Sequence, residues 1–374
     1  MLATIAVDQR PGAFCVLSGA DDLAAMAEAL IREDEGLTVV VPIEVARDRG
    51  YDPAFVAAWL TLRVHSSLEA VGLTAEVAKA LTEVGIASNV IAAFHHDHLL
   101  VPIDQADSAI NAIERLRALA HLNTSQHQLT DPGYVKECRR ALEADGVLVL
   151  DDFFTAEALE WAIADAERHR DDVFYASSTH NVYLTPSDPA LPADHPFNRQ
   201  VISSKGLLAD DQIPADSPLR AVYGSDEFRT FLCQVLGIEA IHPYADPLSS
   251  INVHFAGDGQ ELGWHFDNSS FAVTMLLQAP QEGGVFEYVP AVRDADAGDM
   301  AYDQVGRILD GDVEVKRLYF GPGALVLFQG RNAIHRVTPA KGPITRLLVV
   351  FAYNDQAGIR LSDSALETFY GRTT

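Results

Sequence analysis

Apolar positions between residues 58 and 119 switch repeatedly between strand-like runs and a helical period. Residues 58–64, 87–94 and 99–103 read as strands, and residues 73–84 and 106–119 as amphipathic helices, giving the order βαββα. Ahead of them, strands near Thr4, at 13–17 and at 37–42, with a helix over 23–32, suggest a partial companion module. Residues 120–132 are polar and without period, so a boundary belongs there. Beyond it, helices over 133–144 and 155–169 flank a strand at 146–152, and strand-length apolar runs then recur at 250–255, 323–328 and 346–351. Two segments escape the pattern, the proline-rich 185–196 and the acidic 295–310. Each reads either as a lid over a site or as a plain connection. The chain is expected to be α+β with two domains, residues 1–122 and 123–374.

Candidate chemistry sits on the second set of strands. His265-Phe266-Asp267 places an imidazole and a carboxylate two residues apart, on one face of a strand if Phe266 turns into the core. His335 arrives from a later segment between two buried strands, and two histidines with one carboxylate form the facial set used by non-haem Fe(II) oxygenases. Arg346 opens an otherwise apolar strand. A cation there is costly to bury unpaired, which points to an anionic ligand; if that ligand is 2-oxoglutarate, the planar fork suits its far carboxylate. Asn252 and His254 share one face of the 250–255 strand and stand either as contacts for co-substrate and substrate or as satisfied polar positions. Asn268 and Arg199 are candidate substrate contacts. Trp264 is expected to pack, and Glu287 and Tyr288 either line the mouth or belong to the core.

From about Asp131 onward the chain resembles the Fe(II)/2-oxoglutarate-dependent dioxygenases, in particular the branch of free-amino-acid hydroxylases and radical halogenases. The runs at 263–280, beginning Gly263-Trp264-His265-Phe266-Asp267, and at 283–290 carry the likeness. The resemblance implies a double-stranded β-helix (jelly roll), with His265, Asp267 and His335 as ligands of a catalytic iron and Arg346 as the 2-oxoglutarate anchor. It further implies Fe(II), 2-oxoglutarate and O2, decarboxylation to succinate and a ferryl oxidant acting on an unactivated C–H. Halogenases of that branch have a small residue where the carboxylate would be. Asp267 at that place implies hydroxylation or desaturation.

Residues 1–122 resemble ACT domains, small ligand-binding modules of the ferredoxin-like βαββαβ type, on the phrases at 64–81, 85–94 and 95–102. That likeness implies an amino-acid ligand near Ser66, Ser67 and Gly72, and allows a homodimer through this domain. The serines serve equally as helix caps. His95, His96 and His98 around Asp97 are expected in a hairpin turn rather than around a metal.

Composition narrows the functions. A net charge of -26 with no basic run argues against a nucleic-acid substrate, which needs clustered Lys and Arg. Cys15, Cys138 and Cys233 lie in no metal or redox spacing and read as free buried thiols. With no signal-like N-terminus and no membrane-length apolar segment, a cytoplasmic, membrane-free enzyme is expected. The favoured activity is hydroxylation of a free amino acid or close derivative. An oxygenase acting on a carrier-bound aminoacyl group or another small metabolite, and an amino-acid sensor with a non-catalytic fold, stay open as alternatives.

Overall fold

The computed structural model describes residues 2–64 and 72–374, which form two compact units, Met1–Ala120 and His121–Thr374. The expected contacts Ser66 and Ser67 lie outside the described residues. In the first unit the elements are β1 (Ala6–Gln9), β2 (Phe14–Ser18), β3 (Ala29–Glu33), β4 (Gly36–Pro42), α1 (Ile43–Asp48), β5 (Val56–Arg63), α2 (Leu73–Glu83), β6 (Asn89–Ala92), β7 (Asp97–Pro102) and α3 (Ala106–Leu119). The strands form one antiparallel sheet in the order β3-β4-β2-β5-β7-β6, with β1 on β5. Leu60, Leu62, Leu99 and Val101 of its central strands pack on Val77 and Leu81 of α2 and on Ala109 and Ile113 of α3. That is the βαββα order read from periodicity.

The helix expected over 23–32 does not form. Asp21–Met26 makes a short 3-10 turn, and Ala29–Glu33 pairs instead with β4, from Ala29 opposite Val40 to Glu33 opposite Gly36. Alanine-rich composition favours a helix only weakly, and a neighbouring strand that takes up the backbone hydrogen bonds outweighs it. Thr4 likewise lies in a 3-10 turn, with the strand starting at Ala6. His95 and His96 fall at the β6–β7 turn as expected, with the Ala93 N–H donating to the His96 carbonyl, whereas His98 lies within β7, opposite Thr61 of β5.

The second unit contains α4 (Pro132–Asp145), β8 (Val147–Leu150), α5 (Ala156–Arg168), β9 (Phe174–Asn181), β10 (Gln200–Leu208), α6 (Pro218–Tyr223), α7 (Asp226–Leu236), β11 (Ile251–Ala256), β12 (Leu262–His265), β13 (Ala272–Gln278), β14 (Glu282–Gly283), β15 (Phe286–Val289), α8 (Tyr302–Asp310), β16 (Lys316–Leu318), β17 (Leu325–Phe328), β18 (Ile334–Val337), β19 (Ala340–Lys341), β20 (Arg346–Phe351) and α9 (Asp363–Tyr370). Its antiparallel strands curl into a double-stranded β-helix, running β16-β15-β18-β12-β10-β11-β20-β13-β17-β8 with β9 on β10. Helices start where the sequence offers caps: Asp131, Thr155 and Ser225 each accept a backbone N–H of the first turn.

The acidic segment 295–310 is neither lid nor plain loop. Its second half is α8, whose Val305 and Ile308 pack with Val182, Tyr183 and Phe266 in one apolar cluster. The proline-rich segment beside it is tied down by buried Asn198, whose amide accepts from the Asp188 N–H and donates to the carbonyls of Asp188, Leu191 and Pro192. Cys15 and Cys138 are free and buried, and Cys233 is free and half-buried. Among the described residues no helix is long and apolar enough to cross a membrane.

Candidate metal centre and its cavity

His265 ends β12 and His335 lies directly across from it on β18, so register alone brings the two rings to a centroid separation of 4.1 Å. Asp267 follows past the strand end. Its Oδ1 lies 3.7 Å from His265 Nε2 and 3.5 Å from His335 Nε2. Phe266 turns away into the core, where it stacks on Tyr183 and lies under the Arg293 guanidinium. One ligand atom from each of His265, Asp267 and His335 falls within 4.8 Å of the others, and they are the metal-competent cluster found among the described residues.

Three features fit this cluster to a cation. His265 Nδ1 lies 2.8 Å from the Gly263 carbonyl and His335 Nδ1 3.0 Å from the Ala333 carbonyl. Each Nδ1 therefore carries the proton and donates it, leaving both Nε2 lone pairs directed at the centre. Asp267 Oδ2 is buried with no hydrogen-bond partner, an arrangement that is costly unless a cation supplies the missing interaction. Gly330 provides the room. A Cβ built there would stand 1.8 Å from Asp267 Oδ2 and 3.0 Å from His335 Cε1, while the Gly330 carbonyl accepts the Asp267 N–H. Two neutral imidazoles and a carboxylate suit Fe(II) among the available divalent metals.

Electrostatics agree with that preparation. Burial, and then the charge of His335, lower the His265 pKa to about 3. Burial alone would raise Asp267, but His335 and His265 outweigh it and bring the carboxyl down to about 2. The sign for stability follows: His265 binds a proton in the unfolded chain below its ordinary pKa near 6.5, and in the folded chain only below about 3. Metal-free protein is therefore expected to lose stability as pH falls from 6.5 toward 3, by at most about 1.4 kcal/mol per pH unit for this group. Thermal melting at pH 7 and pH 5 checks this, and equal midpoints would contradict the burial of a neutral His265.

The cluster opens into a cavity of about 440 Å³ with largely apolar walls, Phe271, Phe286 and Phe328 among them. Arg346 lines it from β20. It is 6% exposed, its guanidinium has no hydrogen bond or ion pair among the described residues, and burial lowers its pKa to about 10. Gly284 makes space for it: at φ +61 the glycine holds a turn that L residues rarely adopt, and a Cβ there would meet Arg346 Cδ at 2.9 Å. Asn252 and His254 line the same cavity from β11. The Asn252 amide is engaged, donating to the Ser249 carbonyl at 2.7 Å and accepting from the Tyr370 hydroxyl. His254 Nδ1 stands 3.4 Å from Lys205 Nζ.

Other residues expected at the site lie elsewhere. Arg199 does not line the cavity, and its guanidinium pairs with Asp310 at 2.6 Å. Asn268 is also absent from the lining, and its carbonyl accepts from Arg331 at 3.0 Å. Trp264 packs as expected, under the Arg336 guanidinium. Glu287 and Tyr288 are core residues, not mouth residues. Glu287 is 3% exposed and clamped between Arg317 and Arg336, which overcome burial and lower its pKa. Sequence reading missed Lys205, His180 and Tyr370 in the lining, and the two glycines. Lys205 gave no comparable signal, because it follows Ser203 and Ser204 in a polar stretch of the strand Gln200–Leu208, whereas Arg346 opens an apolar one.

Residues 203–369 match the family model described as Halogenase D, and residues 55–115 match that of the ACT domain. Over residues 203–369 the C-terminal unit is similar to that halogenase family. Among solved structures, the chain is similar to an oxidoreductase of the 2OG-Fe(II) oxygenase family from Burkholderia pseudomallei, 13% identical, over 62% of this chain and 95% of that one, with a TM-score of 0.40. A prolyl-4-hydroxylase from Pseudomonas putida is 13% identical over 61% of this chain and 100% of that one, with a TM-score of 0.37. A protein of unknown function from Vibrio cholerae, described as a possible transport protein, is 37% identical over 30% of this chain and 90% of that one, with a TM-score of 0.28. Comparison with curated proteins gives no match.

Proposed function

We propose that this protein is an Fe(II)- and 2-oxoglutarate-dependent dioxygenase that hydroxylates an unactivated C–H of a free amino acid or close derivative. The observation that carries it is an unpaired, buried Arg346 in the same cavity as a preorganised set of two histidines and one carboxylate. An unpaired guanidinium in an apolar wall is costly, and the far carboxylate of 2-oxoglutarate removes that cost with two parallel charge-assisted hydrogen bonds. His265, Asp267 and His335 would hold the metal. Iron, when bound, supplies the oxidative chemistry that couples decarboxylation of 2-oxoglutarate to succinate with insertion of oxygen into the C–H bond.

The chain's own contribution is positioning. The Gly263 and Ala333 carbonyls fix both imidazole tautomers, and Gly330, lacking a side chain, leaves the space that the Asp267 carboxylate occupies. Arg346 orients the co-substrate, and Phe271, Phe286 and Phe328 exclude water from the space where a substrate carbon must be held. Asp267 favours hydroxylation over chlorination, because its carboxylate fills the place a halide would need. The ACT match at 55–115 supports an amino acid as the relevant ligand class of the whole protein.

The direct test is succinate formation with Fe(II), 2-oxoglutarate and O2 across the proteinogenic amino acids, with His265→Ala as the blank. One amino acid is expected to stimulate turnover and to yield a product heavier by one oxygen. Turnover equal to the blank for every amino acid would refute the free-amino-acid reading.

A further inference from the structure

Lys205 is a buried-facing cation that the proposed chemistry leaves unused. It sits on β10, lines the cavity, and has as its near polar neighbour His254 Nδ1 at 3.4 Å, with no carboxylate in ion-pair contact among the described residues. Strand order places it between the two halves of the proposed site. β18 and β12 carry His335 and His265, then come β10 with Lys205, β11 with His254 and β20 with Arg346. Gly206 pairs with Phe255 and Ala256 pairs with Arg346. Continuing that register by one residue puts Lys205 and Arg346 at one level on strands two apart, roughly 10 Å between backbones. Burial lowers the Lys205 pKa to about 8, so the group is still protonated at neutral pH.

The cavity's charges do not balance. Asp267 is the sole carboxylate among its lining residues, and it belongs to the metal cluster. A divalent metal, Lys205, Arg346, Asp267 and the dianion 2-oxoglutarate leave one uncompensated positive charge in a largely apolar enclosure. A second cation brought there has no acidic partner to meet it, and like charges in a space of low dielectric repel strongly. An anionic group meets a fixed ammonium.

We propose that Lys205 makes the cavity select a primary substrate of net negative charge, an acidic amino acid or a neutral one whose amino group is acylated. The inference rests on the oxygenase reading above and narrows its substrate class. In an acidic amino acid the α-ammonium is left to neutral acceptors of the lining such as Ser178, Ser203 and Thr274, and in an acylated one that cation is absent.

The test uses the full chain without oxygen, with Mn(II) in place of Fe(II), and reads binding by calorimetry. Addition of 2-oxoglutarate comes first; if the wild-type protein takes up none, the oxygenase reading itself fails and the selectivity is not at issue. To the loaded protein are then added glutamate, glutamine and lysine, a series of similar length and different charge, together with aspartate and the N-acetyl forms of alanine, aspartate and glutamate. The anionic members are expected to bind at least tenfold more tightly than glutamine, with lysine weakest. A response to free glutamate or aspartate marks the acidic class, and a response confined to N-acetyl forms marks the acylated class. In Lys205→Met that preference should shrink to within about threefold, and Lys205→Arg should restore it, with 2-oxoglutarate still bound in both. The proposal is overturned if lysine binds most tightly, if no anionic member binds, or if Lys205→Met retains the wild-type order.

Discussion

Alanine at Gly330 is expected to empty the metal centre although no candidate metal ligand is replaced. The added methyl group would lie 1.8 Å from Asp267 Oδ2, inside the carboxylate itself, so Asp267 must leave the position that it shares with His265 and His335. Changes around a ligand set typically cost about 10–100-fold in metal affinity, and displacement of the only carboxylate belongs at or beyond the upper end. His265→Ala and Asp267→Ala, which remove ligands outright, should abolish iron-dependent turnover. Titration with Fe(II) without oxygen, alongside thermal melting, separates this from misfolding. Wild-type affinity in a folded Gly330→Ala protein would mean that the cluster does not hold the metal in the observed arrangement.

Arg346→Met is expected to move ligand affinity and stability in opposite directions. Removing one partner of a buried charge pair costs about 2–5 kcal/mol, so 2-oxoglutarate binding should weaken roughly 30-fold or more. In ligand-free protein the same arginine is an unpaired cation in an apolar wall, and methionine fills similar space without that penalty. The variant should therefore be at least as resistant to urea as the wild type. Arg346→Lys keeps the charge but loses the two-pronged geometry, and should fall between. Unchanged 2-oxoglutarate affinity in Arg346→Met would remove this residue from the co-substrate site. A large loss of ligand-free stability would show instead that its stem is structural.

These expectations came from the sequence in unequal measure. His265, Asp267, His335 and Arg346 were legible because each breaks an apolar strand pattern at a spacing with chemical meaning. Asn252 and His254 were legible as facing one way, and the structure brings both to the cavity. Asn268 was picked because it follows Asp267 along the chain, and Arg199 only for the chemistry of its side chain. Nearness along a chain says little past a strand end, where the backbone turns and successive side chains diverge. Arg199 instead meets Asp310, more than a hundred residues away. The helix expected over 23–32 failed for a related reason, since local propensity is weaker than pairing with a strand already in place.

By itself the sequence determined the period of most elements, the spacing of the candidate ligand set and the acidic character of its composition, because these depend on residue identity and short spacing. Tertiary structure alone decided which face of β10 carries Lys205 into the cavity, why Gly330 and Gly284 must lack side chains, and that Glu287 belongs to a buried ion cluster. Each of those facts is a distance between segments far apart in the chain. No local pattern encodes such a distance; it is fixed only when the strands have closed and their register is set.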